Sequence, residues 1–122
     1  MGKNIRQERE KIIVEAEFRT RIEEILGDNI ATVFSHPILL EFAHPLATKG
    51  MAVKHLCKHF NIPIENSVAA GDEENDLTMI KEAGIGVAMK NASDKPKAIA
   101  DYITTNDNDH DGIAEIIYKF IF

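Results

Sequence analysis

One ten-residue stretch, Ser67-Val68-Ala69-Ala70-Gly71-Asp72-Glu73-Glu74-Asn75-Asp76, limits the folds open to this chain more than any other. Ser67 to Ala70 is short, small and apolar, as a fully buried parallel strand must be, and Gly71 permits a sharp exit that a Cβ would hinder. Asp72 thereby sits at a strand's carboxyl end, the edge where open α/β sheets gather their ligand-binding loops. Asn75 and Asp76 directly precede the apolar spacing Leu77, Ile80 and Ala83, so they can cap a new helix while facing the same crevice. The stretch reads as a strand that ends in a phosphate and metal site.

From residue 49 onward, helical and strand patterns alternate. Val53, Leu56, Cys57 and Phe60 form a helical stripe, Ser67 to Ala70 a strand, Leu77 to Ala83 a helix and Ile85 to Ala88 a strand. Lys95 to Ala100 is a short helix opened near Pro96, Tyr102 and Ile103 a brief strand, and Ile113, Ile116, Ile117 and Phe120 the stripe of a terminal helix. Such alternation implies an α/β fold with parallel strands joined by helical crossovers. The N-terminal third is patterned differently. Asn4 to Leu26 reads as one amphipathic helix with Val14, Phe18, Ile22 and Ile25 on a stripe and Gly27 as its C′ residue. Two antiparallel strands, Ala31 to Phe34 and Ile38 to Phe42, flank the tight turn at Ser35-His36-Pro37, and Ala43 to Thr48 is a linker containing Pro45.

Composition narrows the partners. With 20 acidic and 14 basic residues the net charge is -6, which argues against nucleic acid, because binding a phosphate backbone needs a basic face. A small phosphorylated metabolite with a metal fits better. Cys57 is the sole cysteine, so no intrachain disulfide can form and a cytoplasmic, reducing compartment is expected. The first 27 residues are heavily charged without an apolar signal-peptide core, and no run approaches the length of a membrane span.

Asp72, a hard carboxylate at a strand end, suits Mg²⁺, which takes oxygen ligands and few carboxylates. Lys49 opens a helix ahead of Gly50, so its ammonium can reach back toward the strand ends while Gly50 allows close backbone approach. A cation there offsets the repulsion between a phosphate and an attacking carboxylate, and one unit-charge pair at about 4 Å is worth about 4 kcal/mol at an effective dielectric of about 20. Asn75 can offer its amide to the phosphate or metal, and Asp76 can cap the helix or hold the lysine. Asn91, after a strand, can line the pocket or simply shape a turn. Two other patterns are set aside. Asp107 to Gly112 mimics the start of an EF-hand loop, but Tyr118 stands at its twelfth position where a bidentate Glu is needed, and His55 and His59 share a helix face without a third ligand nearby.

In order along the chain, these motifs resemble the haloacid dehalogenase (HAD) superfamily, specifically its Cof-type sugar-phosphate phosphatases. Gly71 to Asp76 followed by Gly84 to Ala92 is similar to that family's fourth motif, Thr48-Lys49-Gly50 to its lysine motif, and Ala100 to Thr104 with Asp111 to Ala114 to its closing segment. The resemblance covers roughly Leu39 to Phe122 and implies the C-terminal half of a Rossmann-like core over residues 45–122, preceded by the last piece of a cap domain over residues 1–44. It further implies Mg²⁺ held by Asp72, catalytic roles for Lys49 and Asp76, phosphate or substrate contacts from Lys49, Asn75 and Asn91, and an aspartyl-phosphate intermediate. The family's nucleophile strand, running into D-x-D-G-T/S, has no counterpart here. Asp109-His110-Asp111-Gly112-Ile113 follows the polar run Thr104 to Asn108 and aligns with the closing segment instead. The chain therefore reads as the C-terminal part of a phosphatase, inactive alone and prone to self-associate through an exposed sheet edge. The alternative is a naturally shortened, non-catalytic binding or assembly protein with the same fold.

Overall fold

The computed structural model describes residues 16–122, which divide into one unit ending at Pro45 and a second spanning Leu46–Phe122. In the first, a helix at residues 16–26 (α1) ends at Gly27, whose φ of 59° is the left-handed conformation expected of a C′ glycine. Val14 and the rest of the expected helix before residue 16 lie outside the described residues. The strands β1 (Ala31–His36) and β2 (Leu39–Ala43) pair antiparallel, with Ala31 opposite Ala43 and a register shift between Phe34 and His36. Arg19 ties α1 to this hairpin: its Nε donates to Thr32 Oγ1 at 3.0 Å, Nη2 donates to the Thr32 carbonyl at 2.9 Å, and the guanidinium lies 5.3 Å from the Phe34 ring centre. The apolar stripe of α1 is less buried than its spacing suggests. Ile22 is half-buried, but Phe18 is 55% and Ile25 79% exposed.

In the second unit the order is α2 (Lys49–His59), β3 (Val68–Gly71), α3 (Leu77–Glu82), β4 (Ile85–Ala88), α4 (Asp94–Ile99), β5 (Tyr102–Ile103) and α5 (Gly112–Phe120). The three strands form a parallel sheet in the order β3-β4-β5, as the alternating pattern implies. Register explains the two faces. Val68 lies opposite Ile85, and Ala70, Val87 and Tyr102 share a row. These side chains pack with Ile116 and Phe120 of α5, and the Tyr102 and Phe120 rings meet edge to face at 5.4 Å. The other face is built from small residues so that α3 can lie close. A Cβ on Gly86 would come within 2.0 Å of the Ile80 carbonyl oxygen. Among the described residues β3 has a partner on one side only, so the carboxyl end of an edge strand carries Asp72.

Thr48 starts α2, its Oγ1 accepting the Met51 N–H at 3.1 Å, and Asn61 in the left-handed region (φ 54°) follows its end. The stripe expected to bury this helix does so only in part. Val53 and Cys57 are half-buried, whereas Leu56 and Phe60 are 55% and 64% exposed. The close contact of α2 is instead made at Gly50, which has no Cβ to hold it off: its N–H donates to Thr78 Oγ1 at 2.9 Å, and a Cβ would meet the Thr78 carbonyl oxygen at 2.7 Å. Among the described residues no helix is long and apolar enough to cross a membrane.

Candidate active site

The site forms where the carboxyl end of β3 meets the start of α2. After Gly71 the chain passes through Asp72 and Glu73 into a single 3-10 turn, Glu74–Asp76, which runs straight into α3. Asp76 is the hub of this loop. Its carboxylate Oδ1 accepts from Lys49 Nζ at 2.5 Å, and Oδ2 accepts the backbone N–H groups of Asp72 at 2.9 Å and Glu73 at 3.2 Å. The residue is 4% exposed overall, while 48% of the Lys49 side chain remains open to solvent. The pair is thus anchored at its anion and accessible at its cation, the arrangement required if the ammonium is to meet a second anion.

Both roles expected for Asp76 are seen: it holds Lys49, and as the last residue of the 3-10 turn its side chain accepts the Glu73 N–H in a capping box. It occupies the N-cap position of α3, but its side chain makes no capping bond there and turns back onto the loop that precedes it. This reversal depends on Gly71. The glycine is still within β3, its φ is not in the left-handed region, and a Cβ built on it would lie 2.3 Å from the Asp76 Cβ. Gly71 therefore leaves room for the Asp76 side chain where the chain folds back, the exit that a Cβ would hinder, and does so without a left-handed φ.

Burial first, and then the negative charge of Asp76, push the Asp72 carboxyl above its ordinary pKa, with Lys49 acting in the opposite direction. Burial is also the largest influence on Asp76 and acts upward, but the Lys49 hydrogen bond and the two loop N–H groups outweigh it and hold that carboxyl below the usual range. Asp72 thus remains as an oxygen donor whose charge is not fully compensated. That donor chemistry fits a small hard cation. Asn75 lies half-buried in the 3-10 turn between the two aspartates. Asn91 follows β4, and its Oδ1 accepts the Asn108 N–H at 3.0 Å, which ties the β4–α4 connection to the loop after β5.

Two ties to this loop lay beyond sequence reasoning. Ser93 donates both its N–H (2.9 Å) and its hydroxyl (3.3 Å) to the Asp72 carbonyl, and Lys95 Nζ reaches Glu74 Oε1 at 3.0 Å. A Ser just before Asp-Lys-Pro marks a helix start, and Ser93 is indeed the N-cap of α4. Nothing in that signal says that its hydroxyl serves a neighbouring loop. The EF-hand-like segment forms a local turn in which Asp107 Oδ1 accepts the Asp109 N–H at 3.0 Å and pairs with His110 Nδ1 at 2.6 Å.

The sequence profile of haloacid dehalogenase-like hydrolases matches residues 5–117. Phosphatase YwpJ of Bacillus subtilis is 40% identical over 91 residues, which is 75% of this chain and 32% of that protein. A chloroplastic endoribonuclease YBEY of Arabidopsis thaliana is 39% identical over 99 residues, 81% of this chain but 17% of that protein. Among solved structures, a sugar phosphatase of HAD subclass IIB superposes with a TM-score of 0.74 at 31% identity, covering 84% of this chain and 40% of the other. The chain spans less than half the length of each of these relatives.

Proposed function

Because the chain belongs to the haloacid dehalogenase-like hydrolase family, we propose that it is the C-terminal part of a Cof-type phosphatase acting on a small phosphorylated metabolite, most simply a phosphosugar. One observation carries this reading. Lys49 and Asp76, 27 residues apart, are paired at the carboxyl end of β3 beside Asp72, so a phosphate-facing cation and a metal-type carboxylate converge on one sheet edge. In this reading Asp72 holds Mg²⁺ through its carboxylate, with Asn75 beside it. Bound Mg²⁺ supplies charge neutralisation for the transferring phosphoryl group. Asp76 holds Lys49 in place, and the half-exposed ammonium of Lys49 receives the phosphate oxygens. The nucleophilic carboxylate that would form an aspartyl-phosphate comes from polypeptide outside these 122 residues, so this chain alone turns over no phosphate ester. The unit ending at Pro45 is read as the last piece of a cap, the part in which substrate choice would be made.

Calorimetric titration separates the roles within the site. Asp72→Asn should weaken Mg²⁺ binding strongly, since the shape is kept and one negative charge is lost from a site that must compete with hydration. Lys49→Ala should leave Mg²⁺ binding nearly intact but weaken the binding of inorganic phosphate measured in saturating Mg²⁺. Unchanged Mg²⁺ affinity in Asp72→Asn would sink the metal assignment.

A further inference from the structure

We propose that Ser93 and Lys95, at the start of α4, are positioning residues that hold the Asp72–Asp76 loop in the geometry its cation needs; this rests on the reading of Asp72 as a metal ligand. The two ties are in register. Ser93 grips Asp72 and Lys95 grips Glu74, each 21 residues away, so the start of α4 runs alongside the loop and fastens it at alternate residues. Ser93 has the residue type and position of a helix cap, yet its side chain makes no capping bond to α4 and its hydroxyl is given to the Asp72 carbonyl. The Glu74 side chain is only 14% exposed, whereas Lys95 is 65% exposed. An ion pair with one solvated partner adds little to global stability, so its consequence is local. It fixes where the chain passes two residues beyond Asp72. Mg²⁺ demands near-ideal octahedral geometry, and outer-shell partners that orient a ligand commonly change metal affinity by about 10–100-fold.

Charge alone makes the opposite prediction, which renders the idea decidable. Removing a cation near a divalent-metal site should tighten binding by simple electrostatics, whereas removing a positioning contact should weaken it. The experiment is Mg²⁺ calorimetry on the full 122-residue chain with Lys95→Ala, Lys95→Arg, Ser93→Ala/Lys95→Ala and Asp72→Asn, beside thermal melts of each. We expect Lys95→Ala to bind Mg²⁺ several-fold more weakly and the double variant about tenfold more weakly, with unchanged melting temperature for Lys95→Ala and recovery of affinity in Lys95→Arg. Tighter or unchanged binding in Lys95→Ala overturns the positioning role. So does failure of Lys95→Arg to restore affinity. If Asp72→Asn instead binds as the unsubstituted chain does, or the unsubstituted chain gives no isotherm, the metal reading itself falls and this inference with it.

Discussion

Asp76 concentrates more of the candidate site than any other residue, since one buried carboxylate satisfies an ammonium and two backbone N–H groups at once. Asp76→Asn leaves a single oxygen for three donors and turns an N–H₂ group toward one of them. Hydrogen bonds to a charged group are worth about 1.5–3 kcal/mol, so the urea midpoint should fall by the equivalent of about that amount. Gly71→Ala should cost a similar amount although it adds one methyl group, because its Cβ would stand 2.3 Å from the Asp76 Cβ and the carboxylate must move. The two substitutions combined should be less than additive, since each disturbs the same contacts; full additivity in urea unfolding would contradict the shared cause. Asp72, Lys49 and Asp76 were legible as a set because a strand end and a helix start confine side chains to known edges. The ties from Ser93 and Lys95 were not, because their loop partners are a backbone carbonyl, which every residue possesses, and one glutamate among several.

At the scale of elements, α5 is locked to the loop after β5 by Glu115. Its Oε1 accepts from the Tyr102 hydroxyl at 2.9 Å, the Thr105 N–H at 2.9 Å and the Thr105 hydroxyl at 2.6 Å, and Oε2 accepts the Asn106 N–H at 3.1 Å. The hydroxyl and N–H of Thr105 are the leading causes that lower the Glu115 pKa from 4.5 to about 2. A carboxyl with a depressed native pKa contributes stability that is present above its unfolded value and lost as pH falls through the native one. Thermal melts should therefore show the gap between the unsubstituted chain and Glu115→Gln widest above pH 4.5 and closing as pH drops toward about 2. A gap independent of pH across that window would show that the carboxylate charge is not what the clamp uses. The limits of β5 were readable because its short apolar run is bounded by the polar Asp101 and Thr104. The covered face of α2 was not: a 3.6-residue period shows that a stripe exists, but Leu56 and Phe60 show that nothing in this unit needs to cover it.

Across the whole molecule, the parallel order of the sheet was implied by the alternation of elements, but a pattern of alternation does not say which strand lies at the edge. Among the described residues β3 and β5 are the two edge strands, and it is the carboxyl end of β3 that leads into Asp72. An open strand edge invites pairing with another chain. Light scattering across a concentration series should show this chain self-associating, and a monodisperse monomer at high concentration would count against that expectation. The Lys49–Asp76 pair has a further meaning when the chain is followed in time. Helices such as α2 and α3 coil within microseconds from contacts among near neighbours, whereas this bond must wait until 27 residues of chain have looped back and Gly50 has seated against Thr78. Helices of 11 and 6 residues are marginal on their own in water, so they persist only once this packing is made, and any ligand that needs the pocket meets a polypeptide whose folding is already well advanced.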